Sequence, residues 1–242
     1  MAAPLEPVTL DGVDGPLSGR LAHPEGDGPA PGIVVLPEID GLGDDTFLAA
    51  TRLAGAGYRA LALDLFGPYG GTPDLRGAEQ TLAWTSQLND HRQLSDLAAG
   101  LEWLADRPDV DAGRLALVGF SVGGRYSLLL GTEPRGLRAV VTFYTRVWPS
   151  PLIGGRVLVP GDHVGELVAP VCSIFGDEDD IVPADMVERY RSLLLEHPGN
   201  QVHVVPGSHM FTNPSRRRRY RPESAEQAWA LALAFLDERL GP

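Results

Sequence analysis

The sequence predicts an α/β fold with a mostly parallel sheet and helices on both faces, and three observations carry that prediction. Short apolar runs rich in Val recur along the chain, turn residues bound them, and segments with helical spacing lie between several of them. Runs of this kind are too short for buried helices and read as strands. Strand alternating with helix implies parallel pairing covered on both faces, and such sheets place ligands at the carboxyl ends of their strands.

Taken in order, residues 8–22 read as an antiparallel hairpin at the sheet edge, within an N-terminal stretch 1–30 of edge strands. Strands follow at 32–36, 58–63, 115–120, 139–143, 168–175 and 201–205. The helical set is 46–56, 93–105, 122–130, 184–196 and 224–240. In the second of these Leu94, Leu97, Ala98, Leu101 and Leu104 fall on one face, as a helix packed on a sheet requires. Residues 145–165, rich in Pro and Gly, break the alternation and read as a lid or a plain connection. No internal repeat and no linker divides the chain, so 1–242 is expected to be one domain.

The bulk numbers agree with that expectation. At 242 residues, with 43% hydrophobic and 21% charged side chains, the chain can bury one substantial core and is too apolar for disorder. A formal net charge of -12 argues against nucleic acid or an anionic membrane as partner, because binding phosphates needs clustered cations. A small-molecule partner is expected instead, for a monomer or small homo-oligomer. Met1 is followed by Ala-Ala-Pro-Leu-Glu-Pro, which shows neither the basic nor the apolar region of a secretory signal, and no run approaches a membrane span. The single Cys172 lies in an apolar strand and is expected in the core rather than at a reacting centre. A cytoplasmic location is the expectation that follows.

Three positions carry candidate chemistry. Residues 115–120 run straight into Ser121, and Val122-Gly123-Gly124 opens the next helix. Glycines flank such a serine for steric reasons, since a strained strand-to-helix turn leaves no room for neighbouring side chains. A serine before a helix is commonly no more than an N-cap, so the motif alone decides little. Its weight comes from an acid and a base that follow in order. Four acids compete in Gly176-Asp177-Glu178-Asp179-Asp180, at the end of an apolar strand; Asp177 and Asp180 can also cap a helix or face solvent. Of six histidines, His209 is the one in a loop at a strand's end near the C-terminus. Ser, then acid, then His is a nucleophile, an orienting carboxylate and a general base in a recurrent chain order.

Together, Val34-Val35-Leu36-Pro37-Glu38-Ile39-Asp40-Gly41-Leu42, Gly119-Phe120-Ser121-Val122-Gly123-Gly124, 176–183 and Gly207-Ser208-His209-Met210-Phe211 resemble the dienelactone hydrolase family of the α/β-hydrolases. The resemblance implies a single-domain α/β-hydrolase and selects Asp179, three residues after Gly176, as the acid. It implies an oxyanion hole from the N–H groups of Ile39 and Val122, and brings Glu38 towards the nucleophile. Two positions depart from the family's pattern. Its best-known members use Cys where this chain has Ser121, and a hydroxyl cannot be pre-ionised as a thiol can. Glu38 is then left with three roles: orienting Ser121, contacting substrate, or bracing its loop. The Arg that binds the carboxylate of dienelactone, four residues after the histidine, is here Asn213, which argues against dienelactone itself as substrate. The run Arg216-Arg217-Arg218-Arg219 is out of register and reads as a solvated face.

The leading expectation is therefore hydrolysis of a small ester or lactone through an acyl-enzyme, with no metal or organic cofactor required. The same triad could serve an acyltransferase, cyclase or lyase acting on a biosynthetic intermediate, distinguished by whether an added alcohol or amine is acylated in preference to water. A ligand-binding homologue without turnover is the third reading, since a fold never guarantees a function.

Overall fold

The computed structural model describes residues 5–26, 28–72, 74–75, 77–149 and 158–241. Among the described residues eight strands form one sheet in the order β1-β2-β4-β3-β5-β6-β7-β8. The first two, β1 (Leu5–Gly12) and β2 (Gly15–Ala22), make the expected antiparallel hairpin, and β2 joins β4 (Arg59–Leu63) antiparallel. From there the sheet is parallel through β3 (Ala30–Leu36), β5 (Val110–Phe120), β6 (Leu137–Phe143), β7 (Val171–Gly176) and β8 (Gln201–Val205). The strand expected from 168 begins later, at Val171, because Pro170 has no N–H to donate to a ladder and Val168 is exposed.

The alternation of side chains along β3 divides the interior into two layers. Val34 and Leu36 pack with α3 (Asp90–Ala105), α4 (Val122–Leu130) and α5 (Ala184–Leu194), through residues such as Leu97, Leu101, Leu129 and Tyr190. Ile33 and Val35 point the other way, against α1 (Asp44–Gly55) and α6 (Pro222–Leu240), where Leu53, Trp229 and Phe235 are buried. Each large aliphatic side chain so buried contributes about 1.5–3 kcal/mol of transfer free energy, which explains why near-continuous Val/Leu/Ala runs form central strands. Cys172 lies in the second layer as a free, buried thiol, its pKa pushed up to about 12 by burial.

One helix escaped the pattern reading: α2 (Ala78–Thr85), which is short and without a sustained apolar stripe. The segment expected to be a lid or connection lies partly outside the described residues. Its later part forms short 3-10 turns at Pro160–Asp162 and Val164–Glu166. Among the described residues no helix is long and apolar enough to cross a membrane.

Candidate active site

Ser121 sits where β5 turns into α4, with φ 49 and ψ -110, a region that side chains other than glycine rarely adopt. The glycines beside it are a steric necessity. A Cβ on Gly119 would lie 2.5 Å from Gly124 N and from Ser127 Oγ, and one on Gly123 would lie 2.5 Å from the Pro37 carbonyl oxygen. Both are far inside van der Waals contact with atoms that cannot move away. The Ser121 N–H donates to Phe143 O at 3.0 Å, which fastens the turn to the end of β6. Val122 is the first residue of α4, so its N–H has no acceptor within the helix and the positive end of the helix dipole lies beneath the serine.

Asp179 and His209 follow the ends of β7 and β8. Asp179 is buried; its Oδ1 accepts the N–H groups of Ile181 and Val182, both at 2.8 Å, and its Oδ2 accepts His209 Nδ1 at 2.9 Å. With Nδ1–H donating there, Nε2 is the acceptor for the serine hydroxyl, and Ser121 Oγ lies 3.0 Å from it. The competing acids are engaged elsewhere. Asp177 accepts the Gly207 N–H at 2.8 Å, and Asp180 takes both guanidinium nitrogens of Arg219 at 2.6 and 3.0 Å. That pair holds the Asp180 carboxyl below its usual range. Glu178 is exposed.

Ser121 and His209 open into a cavity of about 300 Å³ whose apolar wall includes Ile39, Leu75, Val122, Ile181 and Met210. Four arginines also line it. Arg125 makes a buried bidentate pair with Asp90 at 2.8 and 2.9 Å and also reaches the Leu158 carbonyl. Breaking a buried pair of this kind typically costs about 3–5 kcal/mol, so it is a rigid part of the wall. Arg216 pairs with Asp40 and Arg219 with Asp180. The expectation that 216–219 is only a solvated face is thus corrected: Arg217 and Arg218 are exposed, whereas the chain's turn brings Arg216 and Arg219 back over acids at the cavity mouth. Arg146 differs from the other three. Its hydrogen bonds go to the main-chain carbonyls of Trp148, Pro149 and Ile181, with no carboxylate partner among the described residues. Partial burial lowers its pKa, against the opposing pull of Asp179 and Asp185.

Glu38 is almost fully enclosed, with 1% of its surface exposed. Its Oε1 accepts the Tyr144 hydroxyl at 2.6 Å and its Oε2 accepts Asn213 Nδ2 at 3.1 Å; neither oxygen bonds to Ser121. It lines a second cavity, of about 370 Å³, together with Asp45, Tyr144, Asn213, Glu226 and Trp229. Burial raises its pKa, assisted by the nearby Asp45 and opposed by the bonds from Tyr144 and Asn213 and by His209. Among the described residues no group of three or more His, Cys, Asp or Glu side chains is placed to hold a metal ion.

Strand order, helical layers and a glycine-flanked serine turn at the sheet's carboxyl edge define an α/β-hydrolase. The chain belongs to the dienelactone hydrolase family, whose sequence model matches residues 17–240, and it is accordingly a hydrolase of the lactone- and ester-cleaving type. It is 30% identical over 237 residues to a Bradyrhizobium sp protein named "Probable 2-oxo-3-(5-oxofuran-2-ylidene)propanoate lactonase", spanning 96% of this chain and 95% of that one. An Escherichia coli (strain K12) "Putative carboxymethylenebutenolidase" is 29% identical over 216 residues, 88% of this chain and 79% of the relative. Among solved structures, the Klebsiella pneumoniae "Putative Dienelactone Hydrolase" superposes with a TM-score of 0.88 at 28% identity, covering 98% of this chain and 100% of its own.

Proposed function

We propose that the chain is a serine hydrolase that cleaves a small lactone or ester through an acyl-enzyme, with Ser121, His209 and Asp179 as its triad. The observation that carries the reading is the unbroken relay from Ser121 Oγ to His209 Nε2 at 3.0 Å and from His209 Nδ1 to Asp179 Oδ2 at 2.9 Å. In this reading Ser121 Oγ attacks the substrate carbonyl carbon as its proton passes to Nε2. Asp179, fixed by two main-chain donors, keeps the imidazole in the required tautomer and stabilises the imidazolium. The oxyanion is met by the N–H groups of Ile39 and Val122, where one such donor is typically worth about 10²–10³ in kcat. Nε2–H then protonates the leaving alkoxide, which in a lactone stays tethered to the acyl group. A water that gives its proton to Nε2 releases the acid and restores Ser121.

Cavity size restricts the substrate to a small molecule, and Arg146 favours one that carries an anionic group. The carboxylate in the name of the Bradyrhizobium relative's substrate, a propanoate, is of that kind. An aryl phosphonofluoridate is expected to add one phosphonyl group to Ser121, read by intact mass, and to add none to Ser121→Ala. An unlabelled folded wild type, or a Ser121→Ala variant that hydrolyses a model ester at the wild-type rate, would overturn the proposal.

A further inference from the structure

We infer that Tyr144 is a positioning residue whose hydroxyl, through Glu38 and Thr212, holds the Ile39 loop and the His209 loop in register. The inference rests on the catalytic reading above and assigns Glu38 the bracing role among the three open to it.

The geometry is that of a clamp across three strand ends. Tyr144 directly follows β6, Glu38 follows β3 one residue before Ile39, and Thr212 and Asn213 stand three and four residues beyond His209. The Tyr144 hydroxyl has one proton, which goes to Glu38 Oε1 at 2.6 Å, so its oxygen is left to accept from Thr212 Oγ1 at 2.8 Å. Asn213 completes the tie by donating to Glu38 Oε2 at 3.1 Å and to Asp45 Oδ2 at 3.2 Å. A single buried carboxylate thus joins the segment that supplies the Ile39 N–H to the segment that carries the general base.

Tyr144 also touches the base directly. Its ring meets the His209 ring edge-on with centroids 5.1 Å apart, and it is wedged against Phe120, Phe143 and Phe211 with no exposed surface. Its backbone has φ 41, and its N–H donates to Ile174 O at 2.7 Å. The only non-glycine residues with positive φ among the described residues are Ser121, Tyr144 and Met210, the nucleophile, this tyrosine and the neighbour of the base. Strained conformations of this kind cost about 1–3 kcal/mol each and persist where the surroundings over-determine them. Neither Tyr144 nor Glu38 lines the cavity that holds Ser121; both face the second one, so they act on the reaction through the groups they hold.

A matched pair of hydroxyl deletions tests this. Tyr190 is also fully buried and hydrogen-bonded, to Ser173 Oγ at 3.1 Å, but lies on α5 away from the site. Tyr144→Phe is expected to lower kcat by about 10–100-fold while KM stays within about two-fold, because a misplacement near 1 Å costs on that order and the cavity wall is untouched. It should also shift the His209 Nδ1–H resonance in NMR. Tyr190→Phe should do neither, although both variants lose some thermal stability. Tyr144→Phe behaving like Tyr190→Phe in kcat and in the resonance would overturn the inference. Should Tyr144→Phe fail to fold, Thr212→Val removes the other hydroxyl of the pair and is judged by the same two readouts. A wild type that phosphonofluoridate leaves unlabelled defeats the catalytic reading instead, and the His209 resonance still decides whether the clamp exists.

Discussion

The two cavities beside Tyr144 are similar in size and opposite in charge. The one that holds Ser121 is lined by Arg125, Arg146, Arg216 and Arg219, with Asp40 the acid among its lining residues. The one behind Tyr144 is lined by Glu38, Asp45 and Glu226, with Arg52 held by Glu226. The difference teaches how a carboxylate can be kept close to a histidine without competing for it. A free carboxylate in the Ser121 cavity would compete with Asp179 for the imidazole N–H, whereas Glu38 is turned the other way and held by the neutral donors Tyr144 and Asn213. In the Ser121 cavity three cations are paired with Asp90, Asp40 and Asp180, so that among the described residues lining it Arg146 is the arginine without a carboxylate partner.

Three substitutions break or sharpen that contrast. Asp179→Asn should have the largest effect. It preserves the shape of the site but reverses the donor at His209 Nδ1, so kcat should fall by about 10⁴-fold with little change in unfolding free energy, a loss measurable by steady-state hydrolysis of an aryl ester. Arg146→Met comes next: KM for an ester bearing a free carboxylate should rise about ten-fold, as for the loss of one charge-assisted contact, while a neutral ester of matched size is unaffected. Equal losses on both esters would mean that Arg146 only braces its loop.

Glu38→Gln gives the smallest change, one of pH dependence. Burial raises the Glu38 pKa in the folded state, so the native protein holds a proton that the unfolded chain has already released. Stability contributed at this site therefore falls as pH rises from the ordinary glutamate range, about pH 4, up through the raised folded value. Urea unfolding of Glu38→Gln across that window should show a flatter decline than wild type. Asp45, also raised by burial, keeps part of the slope in both.

The parts of this site that could be read in advance are those governed by neighbours in sequence. Gly119 is required by contacts within its own turn, and although Gly123 and Gly124 clear Leu36, Pro37 and Thr145 at neighbouring strand ends, all three lie within three residues of Ser121, so the turn announces itself in the sequence. The strands and five of the six α-helices among the described residues carry their own periodicity, and α2 lacks it. Asp179 could not be separated from three neighbouring acids by local pattern and was selected through resemblance, because the choice depends on which carboxylate meets His209 from 30 residues away. Asp177 and Asp180 are taken up by Gly207 and Arg219, partners that only the folded chain brings near.

By itself, then, the order of residues determined the layered sheet, the strained serine turn and the succession of Ser121, a cluster of acids and His209, since each depends on spacing or on close steric contact. Only the tertiary structure decided the direction of Glu38, the pairing of Arg216 and Arg219, the main-chain partners of Arg146 and the place of Tyr144. Those are matters of which polar groups meet once the chain has folded, and for the buried ones the partners lie up to 175 residues apart, as Glu38 and Asn213 do.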